Sequence, residues 1–160
     1  MPLPLLLGFT GCLYGVPVSI SGPPDQPVLS VGSRSTVQGV ATLDSLEIHD
    51  LQAAREARAS VHDDSAVHTM QEVHRRSLVW GFDRDPTCGS AGARRIQYGH
   101  LPEGYGERAS PQPLVEGRVY GVSVSGCGFV GGAYFRIVGG KVLYVEGTGD
   151  EPRRRIEAMR

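Results

Sequence analysis

Ala133-Tyr134-Phe135-Arg136-Ile137-Val138-Gly139-Gly140-Lys141-Val142-Leu143-Tyr144-Val145 is the stretch that decides the fold class of this chain. Two runs rich in β-branched and aromatic residues flank a Gly-Gly pair. Such a pair supplies the positive φ that both central positions of a tight hairpin turn require. Just upstream, Arg118 to Val124 sets Tyr120, Val122 and Val124 against Val119 and Gly121, the period-two pattern of a strand. Residues 118–145 therefore predict three strands in succession, joined by glycine turns.

The same reading extends towards the N-terminus. Tyr14 to Ile20 places Val16, Val18 and Ile20 on one face, and Ser21-Gly22-Pro23-Pro24-Asp25 marks the turn after it. Val28 to Val31 is a second short strand, and Val37 to Ile48 holds one or two more. Ser77 to Phe82, with the single tryptophan Trp80, reads as a core strand, and Arg95 to Gly99 as another. Leu101 to Gly106 reads as a loop. Seven or eight short strands separated by turns predict a mostly β fold, an Ig-like β-sandwich in preference to a small barrel.

The segment from Asp50 to Arg76 breaks this rhythm. Asp50 is placed to cap a short surface helix through about residue 58, and the rest reads as an irregular excursion at 50–76. Three regions result: a leader-like segment at 1–12, a β domain at 13–147, and a polar basic tail at 148–160 that suits a ragged terminal helix.

Composition narrows the function. With 160 residues, one domain is expected. A net charge of -1 gives no general field that attracts nucleic acid, and no nucleic-acid partner is expected. The 22 glycines and 11 prolines favour short strands and turns over helices.

The N-terminal run Leu3-Pro4-Leu5-Leu6-Leu7-Gly8-Phe9-Thr10-Gly11-Cys12 is too short to span a membrane, but has the length of a signal-peptide core. It resembles the lipobox of bacterial lipoproteins, in which a small residue precedes the cysteine that is acylated. Thr10 and Gly11 follow that pattern; Phe9 stands where leucine is usual, and no Lys or Arg precedes Cys12. The resemblance implies lipidation of Cys12, and Leu13 after it implies the periplasmic face of the outer membrane. The competing reading is a buried apolar strand with an ordinary core cysteine.

Setting Cys12 aside leaves Cys88 and Cys127, both among turn residues and in a compartment that permits disulfides. A bridge between them would stabilise the domain by about 4 kcal/mol in the chain-entropy model. Two free thiols are the alternative.

The order of features from Trp80 through Tyr98-Gly99-His100-Leu101-Pro102-Glu103-Gly104, then Leu114-Val115-Glu116-Gly117-Arg118-Val119-Tyr120, to Phe135 resembles small uncharacterised proteobacterial lipoproteins. The likeness covers residues 77–145. It implies a lipid-anchored Ig-like β domain and no known activity. Leu114-x-x-Gly117-x-x-Tyr120 reads as the entry to an edge-forming strand.

Chemical motifs are weak. Gly126-Cys127-Gly128-Phe129-Val130-Gly131 has the letters of a dinucleotide fingerprint, but a strand and not a helix follows, so a hairpin is expected. No nucleophile elbow occurs, and no enzyme activity or cofactor is expected. Asp83 and Asp85 beside Arg84 read as a solvated or Arg-paired turn and not as an acid–base pair. His49, His62, His68 and His74, with Asp50, Asp63 and Asp64, read as solvated loop residues and not as a metal site. Arg95, Tyr98, Tyr105, Tyr120 and Tyr134 are residue types enriched at binding hot spots, but cores use them equally.

The function expected is a cell-envelope accessory or binding protein, anchored to the membrane by lipid and acting through an envelope protein partner. Two alternatives stand beside it: an immunity or inhibitor lipoprotein against an envelope-attacking enzyme, and a small envelope hydrolase or metal-binding protein.

Overall fold

The computed structural model describes residues 14–32, 43–61, 65–84, 94–126 and 129–159. Along the chain these form β1 (Tyr14–Ser21), β2 (Val28–Val31), β3 (Leu43–Asp50), α1 (Leu51–Ser60), α2 (Ala66–Ser77), β4 (Leu78–Arg84), β5 (Arg95–Gln97), β6 (Tyr105–Ala109), β7 (Val119–Gly126), β8 (Phe129–Val138), β9 (Lys141–Glu146) and α3 (Asp150–Ala158). The protein is mostly β, as its alternation predicts. The strands make one connected sheet in the order β5-β2-β1-β8-β7-β3-β4-β6, with β9 added on β8.

Two handovers curl this sheet. On the side of β8 away from β7, β1 covers Phe129 to Gly132 and β9 takes over from Ala133. β1 in turn leaves β8 after Pro17 and pairs with β2 from Val18. The β1–β8 pair is parallel and the others are antiparallel, so the sheet is mixed. Gly131 makes the close parallel approach possible, since a Cβ there would lie 2.6 Å from the Val16 carbonyl oxygen.

Curling brings the far end of the sheet back over its own inner face. Tyr98, one residue past β5, meets Trp80 of β4 edge-on with ring centroids 5.2 Å apart. Phe82 and Tyr105 stack in the same manner at 5.1 Å. The core between them takes the inward residues of each strand: Val16, Val18 and Ile20 from β1, Leu46 and Ile48 from β3, Tyr120, Val122 and Val124 from β7.

The hairpin reading of residues 133–145 holds, with Val138 opposite Lys141 and both Gly139 and Gly140 at positive φ (58° and 70°). Gly126 pairs with Phe129, and a strand follows, as expected for a hairpin in place of a nucleotide loop. Three expectations are corrected. Residues 50–76 are not an irregular excursion: α2 fills Ala66–Ser77 after α1, capped by the Ser65 hydroxyl. Its apolar stripe is narrow, with Val67 and Met70 exposed, so no clear period shows in the sequence. The loop expected at 101–106 gives way at Tyr105 to β6, which buries only its first residue and so lacks alternation. β7 is not an edge strand but lies between β8 and β3.

The tail is ordered as α3. Ile156 is fully buried, and Arg136 donates to the Glu157 and Met159 carbonyls at 3.3 and 2.9 Å, satisfying carbonyls left open at the helix end. Among the described residues, no helix is long and apolar enough to cross a membrane.

Candidate functional site

Of the residues expected at a binding surface, three are core. Tyr98, Tyr105 and Tyr120 are buried, and each hydroxyl is tied to backbone. Tyr98 donates to the Gln112 carbonyl at 2.6 Å and Tyr105 to the Leu43 carbonyl at 2.8 Å, while Tyr120 accepts from the Val115 N–H at 2.7 Å. Their rings supply apolar area and the backbone bonds satisfy the buried oxygen. Burial pushes the Tyr98 and Tyr120 phenols above their ordinary range. Arg95 is exposed on β5, far along the sheet path from β8, where half-buried Tyr134 faces outward. Cys12, Cys88, Cys127, His62, Asp63, Asp64 and Asp85 lie outside the described residues.

Because side chains alternate, the outer face of the sheet is fixed by the strand registers. Glu47, Ser123 and Gly132 line up across β3, β7 and β8, and His49, Gly121 and Tyr134 form the next row. Every outward position of β7 from Gly121 to Ser125 is therefore small. Taller side chains rise on both sides, Glu47 and His49 from β3, Val130 and Tyr134 from β8. The result is a trough along β7.

Two cavities of about 560 and 370 Å³ lie in this trough and share Ser123 and Thr148. The larger is at the end where β1 enters, beside Gly15 and Val130. The smaller is roofed by α1 and α2 and has apolar walls from Leu51, Ala54, Met70, Val73 and Tyr134. Arg58, His49 and His74 are its polar edge.

The helical roof is held by Asp50, the last residue of β3. Its carboxylate accepts from the Gln52 and Ala53 N–H groups at 2.9 and 3.1 Å, as expected of a helix cap, and also receives Arg118. α2 then returns the chain to β4, which pairs with β3 from His49↔Leu78 onward across an irregular step. Ser77 and His74 are thereby set beside His49.

At this junction Glu47, His49, Ser77 and His74 form one cluster. His49 Nδ1 is 2.9 Å from the Ser77 hydroxyl, and His49 Nε2 is 3.2 Å from Glu47 Oε2. His74 Nε2 lies 3.8 Å from Glu47 Oε1, and the two imidazole centroids are 4.8 Å apart. Arg108 donates to Glu47 Oε1 and is itself 3.2 Å from Asp83 Oδ2, so Asp83 pairs with an arginine of β6 and not with its neighbour in sequence. The hydrogen bond from His49 holds the Glu47 carboxyl below its usual range. The Arg108 guanidinium and the electrostatic effect of the two imidazoles act in the same direction, against the effect of burial.

His49 and His74 are thus not the solvated loop residues expected: one is on a strand, the other on a helix. Glu47 was missed altogether. The spacing Glu47-x-His49 on a strand carries a signal, since it puts both side chains on one face. Compared with protein-family models, with curated proteins and with solved structures, the chain finds no match.

Proposed function

We propose that this chain is a binding domain of the cell envelope, lipid-anchored at Cys12 and stapled by a Cys88–Cys127 disulfide. Its trough along β7 receives a small amphiphile with an anionic head. The observation that carries the reading is the roofed half of the trough, where apolar walls converge on Arg58, His49 and His74. An acyl or similarly apolar body fits against Leu51, Ala54, Met70 and Val73, with its head towards Arg58 and the two imidazoles.

Binding suits the cluster better than catalysis. Glu47, His49 and Ser77 stand in the order of a hydrolase triad, but Ser77 is only 2% exposed. Its hydroxyl also reaches the His74 carbonyl at 3.3 Å, so it is placed to orient His49 and not to attack a substrate.

The anchor and the trough are compatible. β1 begins two residues after Cys12, a span of at most ~7 Å, so a lipid there would hold the end of the sheet where Gly15 lines the larger cavity. The Ig-like sandwich belongs to the same proposal. It is supported by β1 dividing its pairing between β8 and β2, and by the Tyr120 hydroxyl bonded five residues back, as in the tyrosine corner of such folds.

The test is titration of isotope-labelled protein with decanoate below its micelle concentration, followed by amide chemical shifts. Saturable shifts at Val73, Gly121 and Ser123, lost in Ser123→Leu, are expected. Ser123 is exposed, so the leucine fills the trough without entering the core. No saturable shift, or unchanged binding by a folded Ser123→Leu, overturns the reading.

A further inference from the structure

We propose that Glu47, His49 and His74 form a binding site for a divalent first-row transition-metal ion such as Zn²⁺. The proposal does not depend on the amphiphile above. One ligand atom from each of the three side chains can be chosen so that all lie within 4.8 Å of one another. Two imidazoles and one carboxylate are a common donor set for such ions. With bonds of about 2.1 Å, tetrahedral ligands stand about 3.4 Å apart, close to the 3.2 Å from His49 Nε2 to Glu47 Oε2; His74 Nε2 lies 3.8 Å from the other carboxylate oxygen, Oε1. The wider gap closes by turning His74, whose side chain is 40% exposed on α2.

The surroundings are those a metal site requires. A ligating histidine normally engages its second nitrogen in a hydrogen bond that fixes tautomer and ring plane. Ser77 does this for His49. Its single hydroxyl proton, directed to the His74 carbonyl, leaves Oγ to accept from His49 Nδ1–H. Nε2 faces Glu47 Oε2 from 3.2 Å, so a metal ion bound at this point takes both atoms as ligands while drawing in His74.

Arg108 holds the other carboxylate oxygen, as outer-shell donors hold ligating carboxylates, and Asp83 offsets part of its charge. Glu47 and His49 keep less than a fifth of their side-chain surface exposed, so water competes weakly for them. Glu47 lines one cavity of the trough, and both histidines line the other.

The experiment is calorimetric titration of the full chain, without a polyhistidine tag, with Zn²⁺, paired with absorption spectra of the Co²⁺ form. One ion per chain is expected, with a Co²⁺ spectrum lacking thiolate charge transfer. His74→Ala and Glu47→Gln should each weaken binding by about tenfold or more, and His100→Ala, at an exposed position outside the cluster, should leave it unchanged. Melting curves without metal establish that each variant is folded. Absence of saturable binding, a thiolate band, or unaltered affinity in folded His74→Ala and Glu47→Gln overturns the proposal.

Discussion

Replacing Asp50 tests how the helical roof is held over the sheet. Its carboxylate performs two tasks with different chemistry. One oxygen caps α1 through two N–H groups, and the other receives the Arg118 guanidinium. Loss of such a cap costs about 1 kcal/mol. A charge-assisted hydrogen bond contributes about 1.5–3 kcal/mol, and the lower end applies here because Arg118 keeps 34% of its side chain exposed. Asp50→Ala should therefore cost about 2.5 kcal/mol. At about 2–4 °C per kcal/mol for a chain of this size, the melting temperature falls by about 5–10 °C. Asp50→Asn keeps an oxygen for the cap and gives up the charge, so it should lose about 1.5 kcal/mol. Urea titration of the three proteins measures both steps, and hydrogen exchange locates them. In Asp50→Ala the amides of α1 and α2 should exchange faster, while those of β7 and β8 stay protected. An Asn variant as unstable as the Ala variant, or a loss spread evenly over the sheet, would refute the division into cap and ion pair.

Two further outcomes can be checked with simple variants or none. Gly132→Ala should destabilise the protein by about 1–3 kcal/mol in a denaturant titration, because its Cβ would sit 2.5 Å from the Thr148 methyl and 2.7 Å from the Val122 carbonyl oxygen; a neutral change would mean that β8 and the segment after β9 yield more readily than their packing indicates. Intact mass of protein taken from its native membrane fraction should show a chain starting at Cys12 with added acyl mass, gaining two hydrogens on reduction, whereas an unprocessed chain with three thiols would sink both the anchor and the bridge.

Legibility in the sequence followed local pattern strength. β2 is read at its observed bounds, and the β8–β9 hairpin is plain because alternation and Gly139-Gly140 agree. α1 is marked by its cap, Asp50. α2 is hidden because a helix lying on a sheet and touching it through few residues shows little periodicity, and Val67 and Met70 blur what there is. Tyrosine is ambiguous for a related reason. Its ring is apolar and its hydroxyl needs one partner, so Tyr98, Tyr105 and Tyr120 suit a surface or a core until the backbone acceptors and donors are placed.

The cluster was hidden for a different reason, which also explains why it lies where it does. His49 and His74 are 25 positions apart, and no local rule relates them. β3 and β4 are hairpin partners, but the connection between them is the α1–α2 pair and not a turn. Where β4 starts, its first residue Leu78 must pair with His49. The residue before it, Ser77, then falls beside the His49 ring, and His74, four positions before Leu78, falls one helical turn above. Glu47 is two positions back on the same face of β3. The meeting of these four residues thus follows from closing one hairpin around a helical insertion. A deletion of Arg75 or Arg76, between His74 and the start of β4, would rotate His74 by about 100° away from His49 while leaving the β3–β4 register intact. The base of the insertion, and not any strand alone, is what builds the site.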